Sequence, residues 1–280
     1  MPGTFFVVAT PIGNLEDITL RALRILREVQ VIAAEDTRRT ARLLARHAIS
    51  TPTVSFHEHN TRTRMPQLMA RLQRGESVAL VTDAGTPGIS DPGTELVHAC
   101  IEAGIAVDPI PGVSAPLAAA VASGFALMPL TILGFPPARS KDRSSWIETL
   151  YAINNTVTFF EAPHRIADLL RAIAPKLGDR PIMVARELTK LHQEFLYGTA
   201  SQIAAQLKSI PKGEFTVVVG PLTKTNPSAC PPDDDRVAYE FGLLTESGAM
   251  TRREAVSATA KRLGLPARDV YAAVERAKNR

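Results

Sequence analysis

The stretch VALVTDAGTPGISDPG, residues 78–93, decides the fold. Its first four residues are apolar, as in a buried strand, and the loop that follows carries Gly85, Gly88 and Gly93 together with two prolines. A helical pattern begins directly afterwards. Open α/β sheets bind ligands where a strand leads into such a loop, because glycine lets the backbone approach the ligand closely. The stretch therefore predicts a ligand site, although it also fits a plain strand-to-helix turn.

Three further segments repeat this order of strand, polar loop and helix. They start at residues 4, 31 and 105 and read TFFVVATPIGNLEDIT, VIAAEDTRRTARLL and IAVDPIPGVSAPLAAAVASG. The carboxyl ends of parallel strands meet at one edge of a sheet, so we expect all four loops to lie close together. The alternation predicts an α/β protein with a mainly parallel sheet that helices cover on both faces.

The whole chain divides by pattern into two α/β domains, residues 1–115 and 116–222, and a small helical module at 236–280. Strands are expected near 4–9, 31–34, 53–56, 77–82 and 106–110, then near 130–134, 156–161, 181–187, 193–199 and 214–220, and helices near 17–28, 37–47, 62–73, 93–103 and 114–123. Closely spaced strands in the second domain indicate some antiparallel pairs. The segment LTILGFPPARSKDR reads as a mobile loop, and residues 223–235 read as a linker.

Composition excludes several classes of protein. The chain has 280 residues, 45% of them hydrophobic, and no uncharged apolar run long enough to span a bilayer. The N-terminus does not resemble a secretion signal. Two cysteines, Cys100 and Cys230, are too few and too far apart for a disulfide framework or a zinc site. We therefore expect a cytoplasmic protein without a membrane segment or a bound metal.

Arginine and lysine residues are clustered although the net charge is only +4. The clusters lie at residues 38–46, 62–74 and 252–280. Such clusters are often solvated helix faces, but three of them on a chain with few aromatic residues favour a nucleic-acid phosphate backbone as the partner. The residues chosen as RNA contacts are Arg38, Arg39, Arg42, Arg62 and Arg64.

Eight segments, taken in order along the chain, resemble the segments of a known protein family. They are TPIGNLEDIT, AAEDTRRT, SFHEHN, VTDAGTPGISDPG, PIPGVSA, FFEAPHRI, ARELTKLHQEF and GEFTVVVG. Together they resemble the bacterial rRNA small-subunit methyltransferase I family, which belongs to the tetrapyrrole methylase superfamily. The resemblance implies two α/β domains of tetrapyrrole-methylase type, S-adenosylmethionine in the cleft between them, and a homodimer. It also implies 2′-O-methylation of a cytidine in the decoding region of 16S rRNA. We expect this RNA to be modified within the 30S subunit, and naked RNA is the alternative substrate.

The resemblance also assigns residues to the cofactor. The superfamily cradles its ligand with a Gly-Asp-Pro loop, and here Gly85-Thr86-Pro87 occupies that position, so a carboxylate contact is missing while backbone contacts remain. The residues that the resemblance places at the cofactor are Ala9, Thr10, Gly85, Thr86, Ile89, Ser114, Ala115, Glu161, Ala162, Gly213 and Glu214.

Four polar residues at the ends of predicted strands are candidates for the chemistry: Glu35, Asp36, Glu161 and Arg186. A ribose hydroxyl is a weak acid, so a base that accepts its proton would help the reaction. Asp36 equally fits a helix cap, and Arg186 equally fits an ion pair with Glu187. His57 and His59 are disfavoured as metal ligands because no third histidine or cysteine accompanies them.

Two alternatives stay open at this point. The same fold and cofactor could methylate a tetrapyrrole of the corrin type, but such an enzyme has little use for three arginine clusters or for residues 236–280. A ribosome-assembly factor that binds RNA without catalysis is the other alternative. The glycines of residues 85–93 argue against it, because a protein that only binds RNA does not need close backbone approach there.

Overall fold

The fold is described from a computed structural model of the chain. The described residues are 1–89, 91–207, 212–222, 234–246, 251–263 and 265–278. The chain divides into two units, Met1–Leu222 and Thr223–Arg280. The first unit contains two sheets, and we call each sheet with the helices that pack on it a lobe.

The sheet of the first lobe consists of five parallel strands. They are β1 (Phe5–Val8), β2 (Val31–Ala34), β3 (Thr53–Ser55), β4 (Val78–Val81) and β5 (Val107–Ile110). Their order is β3-β2-β4-β1-β5, and each strand lies within the predicted range. All residues of β2 and β4 are buried, as expected for central strands of a parallel sheet covered on both faces. The parallel sheet predicted from the alternating pattern is confirmed.

Helices alternate with these strands. They are α1 (Leu20–Glu28), α2 (Thr37–Arg46), α3 (Thr61–Gln73), α4 (Thr94–Glu102) and α5 (Ala115–Ser123). The helix predicted near 17–28 begins at Leu20, because the Thr19 hydroxyl accepts the Ala22 N–H and so caps α1. The preceding Leu15–Asp17 forms a separate 3-10 turn.

The second lobe contains a mixed sheet. Its strands are β6 (Leu130–Ile132), β7 (Thr156–Glu161), β8 (Ile182–Arg186), β9 (Glu194–Gly198) and β10 (Phe215–Val219), in the order β6-β7-β10-β8-β9. β10 runs antiparallel to β7 and β8, and β8 runs antiparallel to β9, which confirms the predicted antiparallel pairs. β6 and β7 are parallel.

Three helices cover this sheet: α6 (Ser140–Ala152), α7 (Ile166–Leu177) and α8 (Ala200–Gln206). The prediction of a loop through the charged run at 139–143 is wrong beyond Arg139, because α6 starts at Ser140 and packs Trp146, Ile147 and Leu150 on the core. Helix α5 follows the first sheet but packs its Ala119 with residues of β8 and β10. The lobes therefore share core contacts, and the division into domains at residue 115 stays a prediction.

The second unit consists of α9 (Asp234–Glu246), α10 (Arg252–Leu263) and α11 (Ala267–Lys278). Its own apolar core includes Val237, Phe241 and Val270. The two predicted helices are present, and Gly264 of the turn between them lies outside the described residues, as does most of the predicted linker. Among the described helices, none combines the length and apolar character needed to cross a bilayer.

Candidate active site

A cavity of about 390 Å³ lies between the two lobes of the first unit, at the carboxyl edge of the parallel sheet. The first lobe lines it with Ile12, Glu35, Arg39, Asp83, Ala84, Gly85, Thr86, Ile89, Asp91, Ser114, Ala115 and Pro116. The second lobe lines it with Phe135, Phe160, Glu161, Ala162, Pro163, Leu188, Glu214, Phe215 and Thr216. Its size and its mixture of apolar and polar walls are those of a small-molecule site. The loops after β1, β2, β4 and β5 meet here, as the sequence pattern predicts.

The glycine-rich loop is tied to the end of β1. Thr10 N–H donates to Gly85 O (2.9 Å) and Gly85 N–H donates to Thr10 O (3.0 Å). Gly85 has a φ of +87°, a conformation that side chains rarely adopt. These two bonds hold the backbone of Gly85 at the cavity wall. Gly93 has a different role, since a Cβ there would lie 2.6 Å from Leu80 Cδ2.

Thr86 stands where the resemblance leads us to expect aspartate. Its hydroxyl donates to Val113 O at 3.3 Å and so joins the loop to the segment that precedes α5. Ser114 and Ala115 begin α5 at the cavity wall, and Ile89 is partly exposed there. The Thr86 hydroxyl thus links the glycine-rich loop to the segment before α5.

Three carboxylates share the wall formed by the loops after β2 and β4. Asp83 N–H donates to Glu35 Oε2 at 3.2 Å. Asp83 Oδ1 accepts the Asp36 N–H at 3.1 Å, and Arg39 Nη1 lies 3.3 Å from Asp83 Oδ2. The third carboxylate, Asp91, accepts no hydrogen bond from any residue in the described part of the chain. Glu35 and Asp83 therefore have fixed partners, and Asp91 does not.

Asp91 is the residue of this site that the sequence analysis missed. Burial raises the pKa of Asp91 to about 6, and the negative charges of Glu35 and Asp83 add to the increase. A carboxyl group with a pKa near neutrality is well matched to accepting a proton at neutral pH. The available signal was its place in the glycine-rich stretch, where it is the acidic residue nearest the end of the loop.

Asp36 and Arg186, two of the four candidates for the chemistry, do not line the cavity. Asp36 caps α2 by accepting the Arg38 N–H at 2.8 Å, and hydrogen bonds from Arg38 lower the pKa of Asp36 to about 2. Arg186 Nε donates to Lys212 O at 2.7 Å, and its Nη1 lies 3.2 Å from Glu194 Oε2. Arg186 thus pairs with Glu194 rather than with Glu187.

Glu161, at the end of β7, lines the cavity and is buried. Its Oε1 accepts the Ala162 N–H at 2.7 Å and lies 3.3 Å from Arg165 Nε. Its Oε2 has no hydrogen-bond partner among the described residues. Burial raises the pKa of Glu161, while the Ala162 N–H and the charge of Arg165 act in the opposite direction. The free oxygen leaves Glu161 able to accept a hydrogen bond from a ligand.

The remaining residues assigned to the cofactor differ in position. Ala162 and Glu214 line the cavity, whereas Ala9, Thr10 and Gly213 lie outside its lining. Ala9 and Thr10 are buried at the end of β1, where Thr10 supports the glycine-rich loop. A Cβ on Gly213 would lie 2.7 Å from Cγ of the Glu187 side chain, so this glycine makes room for a neighbour.

The arginines chosen as RNA contacts follow the ends of β2 and β3, which are adjacent strands. Arg38 pairs with Asp36, and Arg39 pairs with Asp83 at the cavity. Arg64 donates to Gln67 Oε1 at 3.0 Å. Arg42 and Arg62 are exposed and form no ion pair within the described ranges. The third arginine cluster behaves differently, because Arg252 and Arg276 form ion pairs that join helices of the second unit.

No group of three or more His, Cys, Asp or Glu side chains suited to a metal ion occurs among the residues that the structure describes. His57 and His59 stack edge to face, with ring centroids 6.0 Å apart. Cys100 is buried, and burial raises its pKa to about 11. Cys230 lies outside the described residues.

Sequence comparison relates the chain to one group of methyltransferases. The family described as Tetrapyrrole (Corrin/Porphyrin) Methylases matches residues 4–204. A protein named Ribosomal RNA small subunit methyltransferase I from Synechocystis sp. is 43% identical over 96% of both chains. The protein of the same name from Bacillus subtilis is 40% identical over 96% of this chain and 93% of its own. That from Thermotoga maritima is 47% identical over 78% of this chain and 98% of its own.

Solved structures share the fold at low sequence identity. A diphthine synthase superposes with a TM-score of 0.61 at 14% identity, over 78% of this chain and 89% of its own. The uroporphyrin-III C-methyltransferase of Thermus thermophilus, in complex with S-adenosylhomocysteine, superposes with a TM-score of 0.56 at 16% identity, over 78% of this chain and 97% of its own.

Proposed function

Because the chain belongs to the tetrapyrrole methylase family, and within it to the group named Ribosomal RNA small subunit methyltransferase I, we propose that it methylates small-subunit ribosomal RNA. The methyl donor is S-adenosylmethionine. The acceptor is the ribose 2′-oxygen of a cytidine in the decoding region of 16S rRNA, within the 30S subunit. A ribosomal substrate places the reaction in the cytoplasm.

The observation that carries the proposal is the charge of the cavity. Its charged lining residues are Glu35, Asp83, Asp91, Glu161, Glu214 and Arg39. S-adenosylmethionine bears a sulfonium and an ammonium group, and the excess of carboxylates favours such a cationic ligand. Apolar side chains of Ile12, Ile89 and Leu188 offer surface for the adenine and the methylene groups. The lining residues therefore fit this donor.

S-adenosylmethionine, when bound, supplies a methyl group that its sulfonium has already activated. The protein has to hold the ribose oxygen in line with that group, and such positioning accounts for several kcal/mol of the barrier. It also has to accept the hydroxyl proton, and such base catalysis increases the reaction rate roughly 10²–10⁴-fold. We propose that Asp91 accepts this proton, because it lines the cavity and has no hydrogen-bonded partner among the described residues. Glu35, on the first-lobe wall, and Glu161, on the second-lobe wall, stay candidates for orienting donor and acceptor.

A homodimer is proposed from an apolar patch on α5 and β9. Leu117 and Val121 lie one turn apart on α5 and are 52% and 73% exposed. Tyr197 of β9 is also exposed, and its hydroxyl donates to Ala122 O at 2.8 Å, so the ring lies beside this helix. A second copy of the chain that covered this patch would bury all three side chains.

Methyl transfer with a labelled donor tests the function. The protein is incubated with methyl-labelled S-adenosylmethionine and, separately, 30S subunits, naked 16S rRNA or uroporphyrinogen III. We expect label in one ribose of the rRNA, recognised because a 2′-O-methyl group blocks alkaline cleavage of the next phosphodiester bond. Label in the tetrapyrrole, or binding of RNA without any heat of S-adenosylmethionine binding in titration calorimetry, would contradict the proposal and favour the corresponding alternative.

A further inference from the structure

Phe135 is an aromatic residue held open to solvent at the cavity. It lies between β6 and α6, lines the cavity and is nevertheless 56% exposed. Its ring centroid lies 5.2 Å from that of Phe160, with a tilt of 40° between the rings. Leaving a large apolar ring in water is unfavourable, so an exposed ring beside a binding site indicates a surface that a ligand covers.

The segment that carries Phe135 is fixed at several points. Phe160 N–H donates to Gly134 O at 2.9 Å, and Pro136 and Pro137 follow directly. Arg165 Nη2 donates to the carbonyl oxygens of both prolines, at 2.7 Å and 3.1 Å. Proline restricts the backbone further. The ring is therefore positioned before any ligand arrives, which reduces the entropy lost on binding.

Positive charge follows the ring closely in sequence. Arg139 occupies the N-cap position of α6 without a capping side-chain hydrogen bond, Lys141 lies in the first turn, and both side chains are exposed. Neither forms an ion pair within the part of the chain that the structure describes. An aromatic ring followed within six residues by exposed cations is a combination that binds single-stranded RNA, because the base stacks on the ring and the phosphates contact the cations.

We propose that Phe135 is the stacking platform for the base of the nucleotide that receives the methyl group, and that Arg139 and Lys141 contact the adjacent phosphates. This inference rests on the proposed function, because it takes RNA as the substrate, and it identifies where the acceptor nucleotide binds. The ligand is a single-stranded ribonucleotide whose base is turned out of its stack. Stacking then places the attached ribose at the mouth of the cavity.

Substitution of the ring tests the platform. Phe135→Ala and Phe135→Leu remove the flat ring, whereas Phe135→Tyr keeps it. We expect kcat/KM for 30S subunits to fall about 5- to 150-fold in the first two variants, the range measured for loss of one stacked base. Phe135→Tyr should retain the wild-type value. The Kd for S-adenosylmethionine, measured by titration calorimetry, should be unchanged in all three.

The salt dependence of kcat/KM separates the ring from the cations. In Arg139→Gln and Lys141→Gln, the slope of log(kcat/KM) against log salt should decrease by about 0.7 for each lost phosphate contact. Phe135→Ala should lower kcat/KM at every salt concentration without changing the slope. Tyr151→Ala is the matched control, since Tyr151 is an equally exposed ring on α6 that does not line the cavity. It should behave as wild type.

Three results would overturn the inference. Phe135→Ala with wild-type kcat/KM would show that no base stacks there. A loss of S-adenosylmethionine affinity in Phe135→Ala would assign the ring to the cofactor instead. An equal effect of Tyr151→Ala would make the effect nonspecific. Failure of the proposed function has a different signature: the wild-type protein itself would transfer no methyl group to 30S subunits.

Discussion

The protonation of Asp91 depends on its neighbours at the cavity wall. Glu35 and Asp83 are fixed there by hydrogen bonds and by Arg39, so their charges act on Asp91 from defined positions. Burial and these charges raise the pKa of Asp91 to about 6. The residue therefore changes charge in a range of pH where the enzyme can be assayed directly.

Asp91→Asn should lower kcat roughly 10²–10⁴-fold, because the hydroxyl proton loses its acceptor. In the wild-type protein, kcat should rise with pH through about 6, as Asp91 loses its proton, and then level off. Single-turnover methylation of 30S subunits at several pH values measures both. The control is Asp83→Asn, which removes one of the repelling charges and should shift the rise to lower pH. A wild-type profile that is flat between pH 5 and 7 would exclude Asp91 as the acceptor.

Asp91→Asn should increase the stability of the folded protein at high pH, although it lowers kcat. Folding raises the pKa of Asp91 from 3.8 to about 6, so its contribution to stability is fully present below the lower value and is lost as pH rises through the higher one. Asp91→Asn should therefore be more stable than wild type at pH 8 and equal to it at low pH. Urea unfolding at both extremes measures the difference. A variant that is less stable at pH 8 would contradict the assigned environment.

Gly85→Val should abolish S-adenosylmethionine binding while the protein stays folded. The φ of +87° costs a β-branched residue about 1–2 kcal/mol, but the added Cβ would meet Ile12 Cγ2 only at an ordinary 3.6 Å. The matched control is Gly104→Val, since Gly104 also has a positive φ (+66°), has open space around it and lies outside the cavity lining. Calorimetry and thermal unfolding should show similar destabilisation but a binding defect only at Gly85. Retained binding in Gly85→Val would contradict the role of the loop.

Helices α2 and α3 both start at the carboxyl edge of the first sheet, after adjacent strands, and pack on its opposite faces. Arg38 and Arg39 are each held by an aspartate, whereas Arg42 and Arg62 are exposed without an ion pair in the described segments. Substitution of Arg42 and Arg62 is therefore the better test of RNA contact. Reversing Arg38 or Arg39 would also disturb the α2 cap or the cavity.

Arg42→Gln combined with Arg62→Gln should weaken binding to 16S rRNA and leave S-adenosylmethionine affinity unchanged. The slope of log Kd against log salt should change by about 0.7–0.9 for each phosphate contact removed. Filter binding at several salt concentrations measures it. Arg24→Gln with Arg171→Gln removes the same charge from exposed positions on α1 and α7 and should have no effect on the slope. An equal effect of both pairs would mean that only net charge matters.

Secondary structure was predictable where the pattern is regular. Alternating apolar strands and polar loops located all ten strands, since apolar runs of three to six residues stand out against their polar flanks. The start of helix α6 was not predictable from the sequence. Its first turn is charged, and the α6 side chains that pack on the core are Trp146, Ile147 and Leu150. A charged first turn looks like a loop until the packing of the following turns is known.

The two units are joined by a segment whose composition predicts a linker, and each has a core of its own. Removal of residues 223–280 should therefore leave a folded protein with wild-type S-adenosylmethionine affinity and a higher KM for 30S subunits. Calorimetry, thermal unfolding and methylation kinetics test the three statements. An insoluble product would show that the second unit is needed for folding.

The proposed homodimer is tested at the α5 patch. Val121→Asp places a charge among the exposed apolar side chains of Leu117 and Tyr197, so the dimer should dissociate because an unpaired charge is unfavourable in an interface. Sedimentation equilibrium measures the mass. Ile101→Asp is the control, since Ile101 is similarly exposed on α4 away from this patch. A wild-type protein that is monomeric at all concentrations would contradict the homodimer.

The sequence by itself determined the parallel sheet, the convergence of its loops at one edge and, through its resemblance, the family and the donor. These follow from local patterns, because strand burial and glycine in a loop depend on residues close together in the chain. The tertiary structure decided which polar residues face the cavity. Asp36 caps its own helix outside the cavity, and Arg186 binds Lys212 and Glu194. Asp91 has no hydrogen-bond partner among the described residues, and Phe135 is held open at the same cavity. Side-chain environment depends on residues distant in sequence, and no local pattern encodes it.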